Sequence, residues 1–329
     1  MSAALAVPLF LVSLGVTLAS ARLFARRLDR LGVRFGFPEA LIGLLTAVAA
    51  DGPNVSSSLF ALLKGAHDVG VGVLVGSNTF QLAAMIGVSA LLAGAVRLPR
   101  ETVLLEGVVG LVITVVAAAL LLRWLSPVGA VLLSLLVVVP YLALVIGGQR
   151  LREAPGSKLR RLAHALHEHP GPEQPEEAPT NPTHHLLGLI VLDVALIIAG
   201  SAGMVQAALT LGADWHIPNS VLGVLILAPM TSLPNALTAI RLGRAGRGAA
   251  LVGEAFNSNS INLGVGVIVP SLFVTFAALS GVDKQQLAWL LAMTIATVGL
   301  LARPAGMRRP GGVFLVILYF AFVVGTLVG

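Results

Sequence analysis

Two carboxylates interrupt stretches that are otherwise oily: Asp51 in TAVAADGPNVSSS and Glu254 in GEAFNSNSIN. An ionised carboxylate in the middle of a membrane helix costs at least roughly 2.5–3.5 kcal/mol on insertion scales, so such a residue is a candidate for function by default. Asn54 and Ser58 follow Asp51 at helical spacing, which puts the three on one helix face, with Ser57 flanking it. Ser232, Asn235 and Thr238, preceded by Thr231, repeat that spacing in MTSLPNALT. Ser77, Asn78 and Gln81 form a group in GVLVGSNTFQ; Glu254, Ser258 and Asn262 form its counterpart, with Asn257 and Asn259 alongside. Carboxylate, amide, hydroxyl and carbonyl oxygens are the donors that hard cations such as Na⁺ and Ca²⁺ select. Ser, Asn and Gly also pack membrane helices together and hydrogen-bond across them, and each of these residues taken singly fits that reading equally well. The two carboxylates do not.

The elements that carry these residues are membrane helices. Of 329 residues, 57% are hydrophobic and 11% charged, against about 25% charged in soluble domains. Ten apolar runs are expected to span a bilayer, at roughly 4–24, 38–63, 69–95, 102–122, 127–147, 186–210, 218–241, 249–279, 285–302 and 312–328. Between the fifth and sixth lies a polar segment from Arg150 to His185, rich in Pro, Glu and His, which reads as a solvated linker. The expected domains are therefore a first five-helix half at 1–149, a linker at 150–185 and a second half at 186–329. Five Arg residues follow the first span and no positive charge precedes it, which favours a retained helix over a cleaved signal peptide. With the N-terminus outside, all but three of the 21 Lys and Arg residues (Lys64, Arg123 and Lys284) fall on the inner side, placing the linker in the cytoplasm of a multi-pass plasma-membrane protein. The same clustering explains the basic balance without nucleic acid. There is no cysteine, so no disulfide or thiolate site.

A shift of 181 positions tests whether the halves are copies. Pro53 meets Pro234, Asn54 meets Asn235, Gly65 meets Gly246, Gly72 meets Gly253, Ser77 meets Ser258, Asn78 meets Asn259, and Ser57 meets Thr238. One ungapped offset aligns the polar and helix-breaking residues as well as the leucines. Because each copy holds an odd number of spans, the two insert upside-down relative to one another. Each copy has a proline within a span. Proline has no N–H to give the carbonyl four residues back, so Pro53 releases that of Ala49 and Pro234 that of Met230. The expectation is a broken helix in each half, the freed carbonyls meeting near the midplane.

Other residues are less informative. Asp193 in LIVLDVALII is open to two readings: a second proton or ion group, or a residue near the inner interface in contact with water. Glu106, near the end of its span with Arg100 close by, reads as a snorkelling or paired surface residue. His164, His167, His169, His184 and His185 cluster around the linker, where incidental solvated histidines are the simpler reading and a pH or metal sensor the alternative. No G-x-x-x-x-G-K-[ST] loop is present, and no Ser–His pair lies within the spans, so neither ATP-driven transport nor an intramembrane hydrolase is expected.

The stretches GLLTAVAADGPNVSSSLFALLKG, GVGVLVGSNTFQ and GVLILAPMTSLPNALTAIRLGRAGRGAALVGEAFNSNSIN resemble the two α-repeats of the sodium/calcium exchanger superfamily, here at about 38–95 and 218–279. The family pattern is G-T-S-L-P-E, a stretch ending K-G or R-G, then G-N-V-I-G-S-N-I-F-N. The resemblance implies an all-α integral membrane protein: about ten transmembrane helices in two inverted five-helix repeats, broken at the pseudo-two-fold site. The family's central glutamate falls on Asn54 and Asn235, its Ser before Leu-Pro-Glu on Asp51 and Ser232, its preceding Thr on Ala50 and Thr231, and its G-N ligand position on Val73 and Glu254. Both central glutamates are thus replaced by amides, with carboxylates nearby at Asp51 and Glu254. The implied function is secondary active cation antiport by alternating access. Na⁺, Ca²⁺ or H⁺ would be the substrates; no cofactor is implied, and membrane lipid and inorganic cations are the partners. The candidate ligands are Asp51, Asn54, Ser57, Ser58, Ser77, Asn78, Thr231, Ser232, Asn235, Thr238, Glu254, Ser258 and Asn259. The changed ligands leave open a monovalent cation/proton exchanger and an uncoupled, channel-like relative.

Overall fold

The computed structural model describes residues 2–37, 39–152 and 183–328. Residues 153–182 of the expected linker, with His164, His167 and His169, lie outside the described residues; its two ends, with His184 and His185, extend the helices on either side. Among the described residues there are ten helical rods: α1 (Ala3–Arg34), α2 (Glu39–Leu63), α3 (His67–Ala93), α4 (Arg100–Leu121), α5 (Pro127–Arg152), α6 (Thr183–Asp214), α7 (Asn219–Arg244), α8 (Gly248–Leu263 with a continuation to Ile268), α9 (Gly281–Leu301) and α10 (Arg309–Val328). Seven of them are long and apolar enough to cross a membrane. The 181 offset carries each rod of the first half onto its counterpart to within a few residues. It even reproduces a turn: Gly65 and Gly246 both adopt the left-handed backbone, at φ 76° and 73°, which glycine enters without a Cβ clash.

The layering follows burial. Along α3, 89% of its most apolar window is buried, against 22% in α1, α5 and α10; α3 is therefore central and the other three face outward. Leu132, Leu136, Val139, Phe320 and Val324 are exposed on α5 and α10, the arrangement expected when the surrounding solvent is hydrocarbon. A short antiparallel pair, β1 (Ala95–Val96) with β2 (Met307–Arg308), ties the end of α3 to the start of α10.

Helices α1 and α6, each of 32 residues, would be about 48 Å long, well beyond a hydrocarbon core of about 30 Å. They pack through small residues. A Cβ at Gly200 would collide with Thr17 Oγ1, and one at Gly203 with Ser13 Oγ, so glycine is what lets the backbones approach. The same pair holds Asp193. It is buried rather than exposed to water and is paired with Arg27 Nη1 at 2.5 Å, and Arg27 also donates to the carbonyl of Leu189 at 3.2 Å. Removing one partner of a buried pair strands the other. Arg27→Met should lower stability by about 3 kcal/mol, read as the thermal midpoint in detergent, and the added change Asp193→Leu should recover most of the loss. An unchanged midpoint in the single variant would dismiss the pair as a structural tie.

The expected proline breaks take a different form. The α-helical path runs through Pro53 in α2 and through Pro234 in α7. Proline removes a ladder bond but does not end either helix, because neighbouring helices hold both sides of it. Regular geometry gives way instead at three π-helical segments: Leu82–Gly87 in α3, Leu222–Leu227 in α7 and Gly264–Ile268 after α8. The first and third are partners under the 181 offset. The second is not, since residues 41–46 of α2 are ordinary α-helix.

Candidate cation-binding site

The polar faces of α2, α3, α7 and α8 converge. Asp51, Asn54, Ser57, Ser77, Thr231, Ser232, Asn235 and Ser258 are all buried. Asp51 Oδ1 accepts from three amides: Asn235 Nδ2 at 2.8 Å, Asn54 Nδ2 at 3.2 Å and Gln81 Nε2 at 3.3 Å. Asn54 Oδ1 in turn accepts from Ser77 Oγ at 3.1 Å and Ser232 Oγ at 3.3 Å. These contacts are related by the internal symmetry. Under the 181 offset the Asp51–Asn235 contact becomes Ser232–Asn54, and Ser77–Asn54 becomes Ser258–Asn235, observed at 3.5 Å. The pseudo-two-fold axis therefore passes through this network.

Several oxygens here have no donor. Asp51 Oδ2, Ser57 Oγ, Gln81 Oε1 and Asn235 Oδ1 are buried and unpartnered, and a buried acceptor without a partner costs about 1–3 kcal/mol. Glu254 is half-buried and within electrostatic range of Asp51. Neither carboxylate is paired with Lys or Arg among the described residues. Unpaired negative charge beside orphaned amide and hydroxyl oxygens fits a hard cation. The converging side chains offer carboxylate, amide and hydroxyl oxygens, the donor types that hard cations select.

Not every expected ligand lies in this network. Thr238 is a correction: it is exposed, and its hydroxyl donates to the carbonyl of Pro234 at 3.0 Å. Its counterpart Ser57 is enclosed because α2 is flanked by both α1 and α6, whereas α7 touches α1 only lightly. Ser58 is buried but donates to the carbonyl of Gly70 at 2.8 Å, bracing α2 on α3. Thr231 donates to the carbonyls of Leu227 and Ala228 at 2.9 and 3.1 Å, and Ser77 reaches the latter carbonyl at 3.5 Å. Asn78 and Asn259 sit in a neighbouring amide cluster: Asn262 Nδ2 donates to Asn78 Oδ1 at 2.9 Å, and Asn259 Nδ2 to Thr114 Oγ1 at 2.9 Å and the carbonyl of Gly110 at 3.2 Å. Gln81 was grouped with Ser77 by spacing but not counted as a ligand; it belongs to the network. Glu106 is a second correction. It is buried, not a surface residue, and both its oxygens lie 3.0 Å from Tyr141 Oη.

Two five-helix halves related by a pseudo-two-fold axis through a buried oxygen network define a polytopic membrane protein of the inverted-repeat class. The chain belongs to the sodium/calcium exchanger family: the pattern described as "Sodium/calcium exchanger protein" matches residues 5–147 and 185–328. Among curated relatives it is 28% identical to the "Putative antiporter CaxA" of Alkalimonas amylolytica over 322 residues, covering 95% of each chain. It is 28% identical to the "Inner membrane protein YrbG" of Escherichia coli over 277 residues, 82% of this chain and 80% of that one. The fold is that of the sodium-calcium exchanger NCX_Mj, solved after soaking with Na⁺ and Sr²⁺, with a TM-score of 0.64 at 20% identity over 98% of this chain and 99% of the other.

Proposed function

We propose that the chain is a secondary active cation antiporter of the sodium/calcium exchanger type, binding its ions between the two α-repeats and working by alternating access. The observation that carries this reading is Asp51, fully buried at the crossing of α2 and α7, with one oxygen held by three amides and the other unpartnered. A bound cation would satisfy that oxygen and its orphaned neighbours together. The names of the relatives, an antiporter and exchangers, support the class. Asn54 and Asn235 stand in this reading where the family has its central glutamates. The halves meet as separate inverted units, residues 1–149 and 186–329, with the N-terminus outside. Trp124, Trp215 and Phe273, all exposed at helix ends, would then share the outer face as an aromatic belt.

The test is flux in liposomes. Purified protein should accumulate labelled Ca²⁺ against an imposed Na⁺ gradient, with Glu254→Gln slowing it. Uptake without a counter-ion gradient would mark a channel instead, and uptake indifferent to both Asp51→Asn and Glu254→Gln would move the site elsewhere. The donor set favours a particular selectivity: with amides at Asn54 and Asn235, fewer formal charges face the ion than in a glutamate site. Asn235→Glu should therefore shift preference from Na⁺ or H⁺ toward Ca²⁺ in competition assays. An unmoved preference would reject the assignment of that position.

A further inference from the structure

Glu106 lies in α4, outside the pocket, and belongs to a hydrogen-bonded chain that counts its own protons. Tyr141 Oη, from α5, is 3.0 Å from both Glu106 oxygens and 2.9 Å from Asn257 Oδ1, from α8. The group contains three acceptors in a row and one hydroxyl hydrogen. If Glu106 is ionised, Tyr141 donates to it and Asn257 Oδ1 is left without a donor. If Glu106 is protonated, it donates to Tyr141 Oη, and the tyrosine hydroxyl is free to donate to Asn257. With Asn257 Oδ1 turned toward the phenol, as here, only the protonated form supplies both hydrogens, and it spares the buried Glu106 a charge with no partner.

The internal duplication shows that the fold does not require this cluster. Under the 181 offset Glu106, Tyr141 and Asn257 correspond to Leu287, Phe322 and Gly76, all buried. The same architecture is closed with apolar side chains in one half and carries an acid, a phenol and an amide in the other. Among the described residues no Lys or Arg pairs with Glu106. From α5 it meets Tyr141. From α8, Asn257 is joined to it through Tyr141, with Glu254 about one turn earlier. From α9 it meets the level of Val298, which packs on the neighbouring Gly107, about four turns from the Asp283 and Lys284 that start that helix. On α4 itself, Arg100 and Glu101 are exposed.

Resting on the antiporter reading above, we propose that Glu106 is a proton-binding site of the transport cycle, separate from the cation pocket and linked to it through Tyr141 and Asn257. Asn257 lies between Glu254 and Ser258 on α8. When Glu106 loses its proton to water, its O–H bond breaks, the tyrosine hydroxyl turns to the carboxylate, and the tie from α5 to α8 is released at the level of the pocket. Proton occupancy on α4 thereby controls how firmly α8 is held.

Infrared difference spectroscopy on the full purified chain tests this. Wild type should show the carbonyl stretch of a protonated buried carboxyl at neutral pH. Glu106→Gln should lose that band and Tyr141→Phe should shift it. Adding Ca²⁺ or Na⁺ in weak buffer should release about one proton fewer per protein from Glu106→Gln than from wild type. Absence of the band at every pH overturns the proposal, as does a band and a proton count that neither cation nor variant changes. If wild type binds neither Ca²⁺ nor Na⁺ by calorimetry, the antiporter reading fails on that measurement alone. The band then still decides Glu106: loss on alkaline titration supports a proton carrier, and permanence overturns one.

Discussion

Asp51→Asn is expected to abolish gradient-driven cation uptake while raising the thermal midpoint of the protein in cation-free buffer. The two effects have one cause. Asp51 supplies a full charge to any cation that enters the network, and at about 4 Å and an effective dielectric of about 20 that is worth about 4 kcal/mol, roughly a thousandfold in affinity. In the absence of a cation the same charge is a burden. It is buried, no Lys or Arg answers it among the described residues, and an intramembrane carboxylate costs at least roughly 2.5–3.5 kcal/mol on insertion scales. Asparagine keeps an oxygen for the donors Asn54, Gln81 and Asn235 and replaces the unpartnered, charged Oδ2 with a neutral amide nitrogen. Several degrees of stabilisation should follow. Adding Ca²⁺ or Na⁺ should then raise the wild-type midpoint and leave the variant unmoved. A variant that is both inactive and less stable would show that Asp51 holds the fold rather than the ion.

Gly76→Val should prevent accumulation of folded protein. Gly76 is where α3 crosses the π segment of α7. An added Cβ would lie 2.7 Å from the carbonyl oxygen of Val224, 2.8 Å from its Cα and 2.8 Å from Ala228 Cβ. These are backbone atoms and a methyl, with no flexible end to swing aside. The reciprocal contact is as tight, since a Cβ at Gly223 would come 2.6 Å from the carbonyl oxygen of Val69. Overpacking a dense core costs about 1–3 kcal/mol even where neighbours can shift, and here the two halves would have to separate beside the buried oxygen network. Gly15→Ala is the control, because nothing lies within 4 Å of a Cβ there. Size-exclusion profiles in detergent read both; a monodisperse Gly76→Val protein with normal uptake would refute the close crossing.

The sequence carried the fold because its signals were of the long-range, repeated kind. Ten apolar runs divided by a polar linker give the helix count, and the 181 offset matches the halves residue by residue. The candidate site was legible where a charge, an amide or a hydroxyl had to sit in oil, as at Asp51, Asn54, Asn235 and Ser77. It was less legible where neighbours decide exposure. Thr238 has the right spacing but lacks the cover that α1 and α6 give Ser57. Ser58 shares the face with Asp51, yet its hydroxyl is taken by the carbonyl of Gly70. Glu106 reads as a surface residue because Arg100 stands close in sequence, whereas its partner Tyr141, itself bonded to Asn257, comes from another helix. The π segments left no trace, since nothing in LAAMIG or LGVLIL distinguishes them from ordinary helix.

The unmatched π segment of α7 makes the halves unequal in winding. Such a segment stores one residue more than the α-helical turns it replaces, and its counterpart in α2 stores none. If the two copies trade shapes, α7 must give up its surplus residue to its own flanking chain and α2 must take one in from its own. Each reeling advances the helix beyond it by about 1.5 Å and swings it by about 100°. Thr231, Ser232 and Asn235 lie just downstream on α7, so a crank of this size would re-aim the oxygens they present without any hinge in the loops.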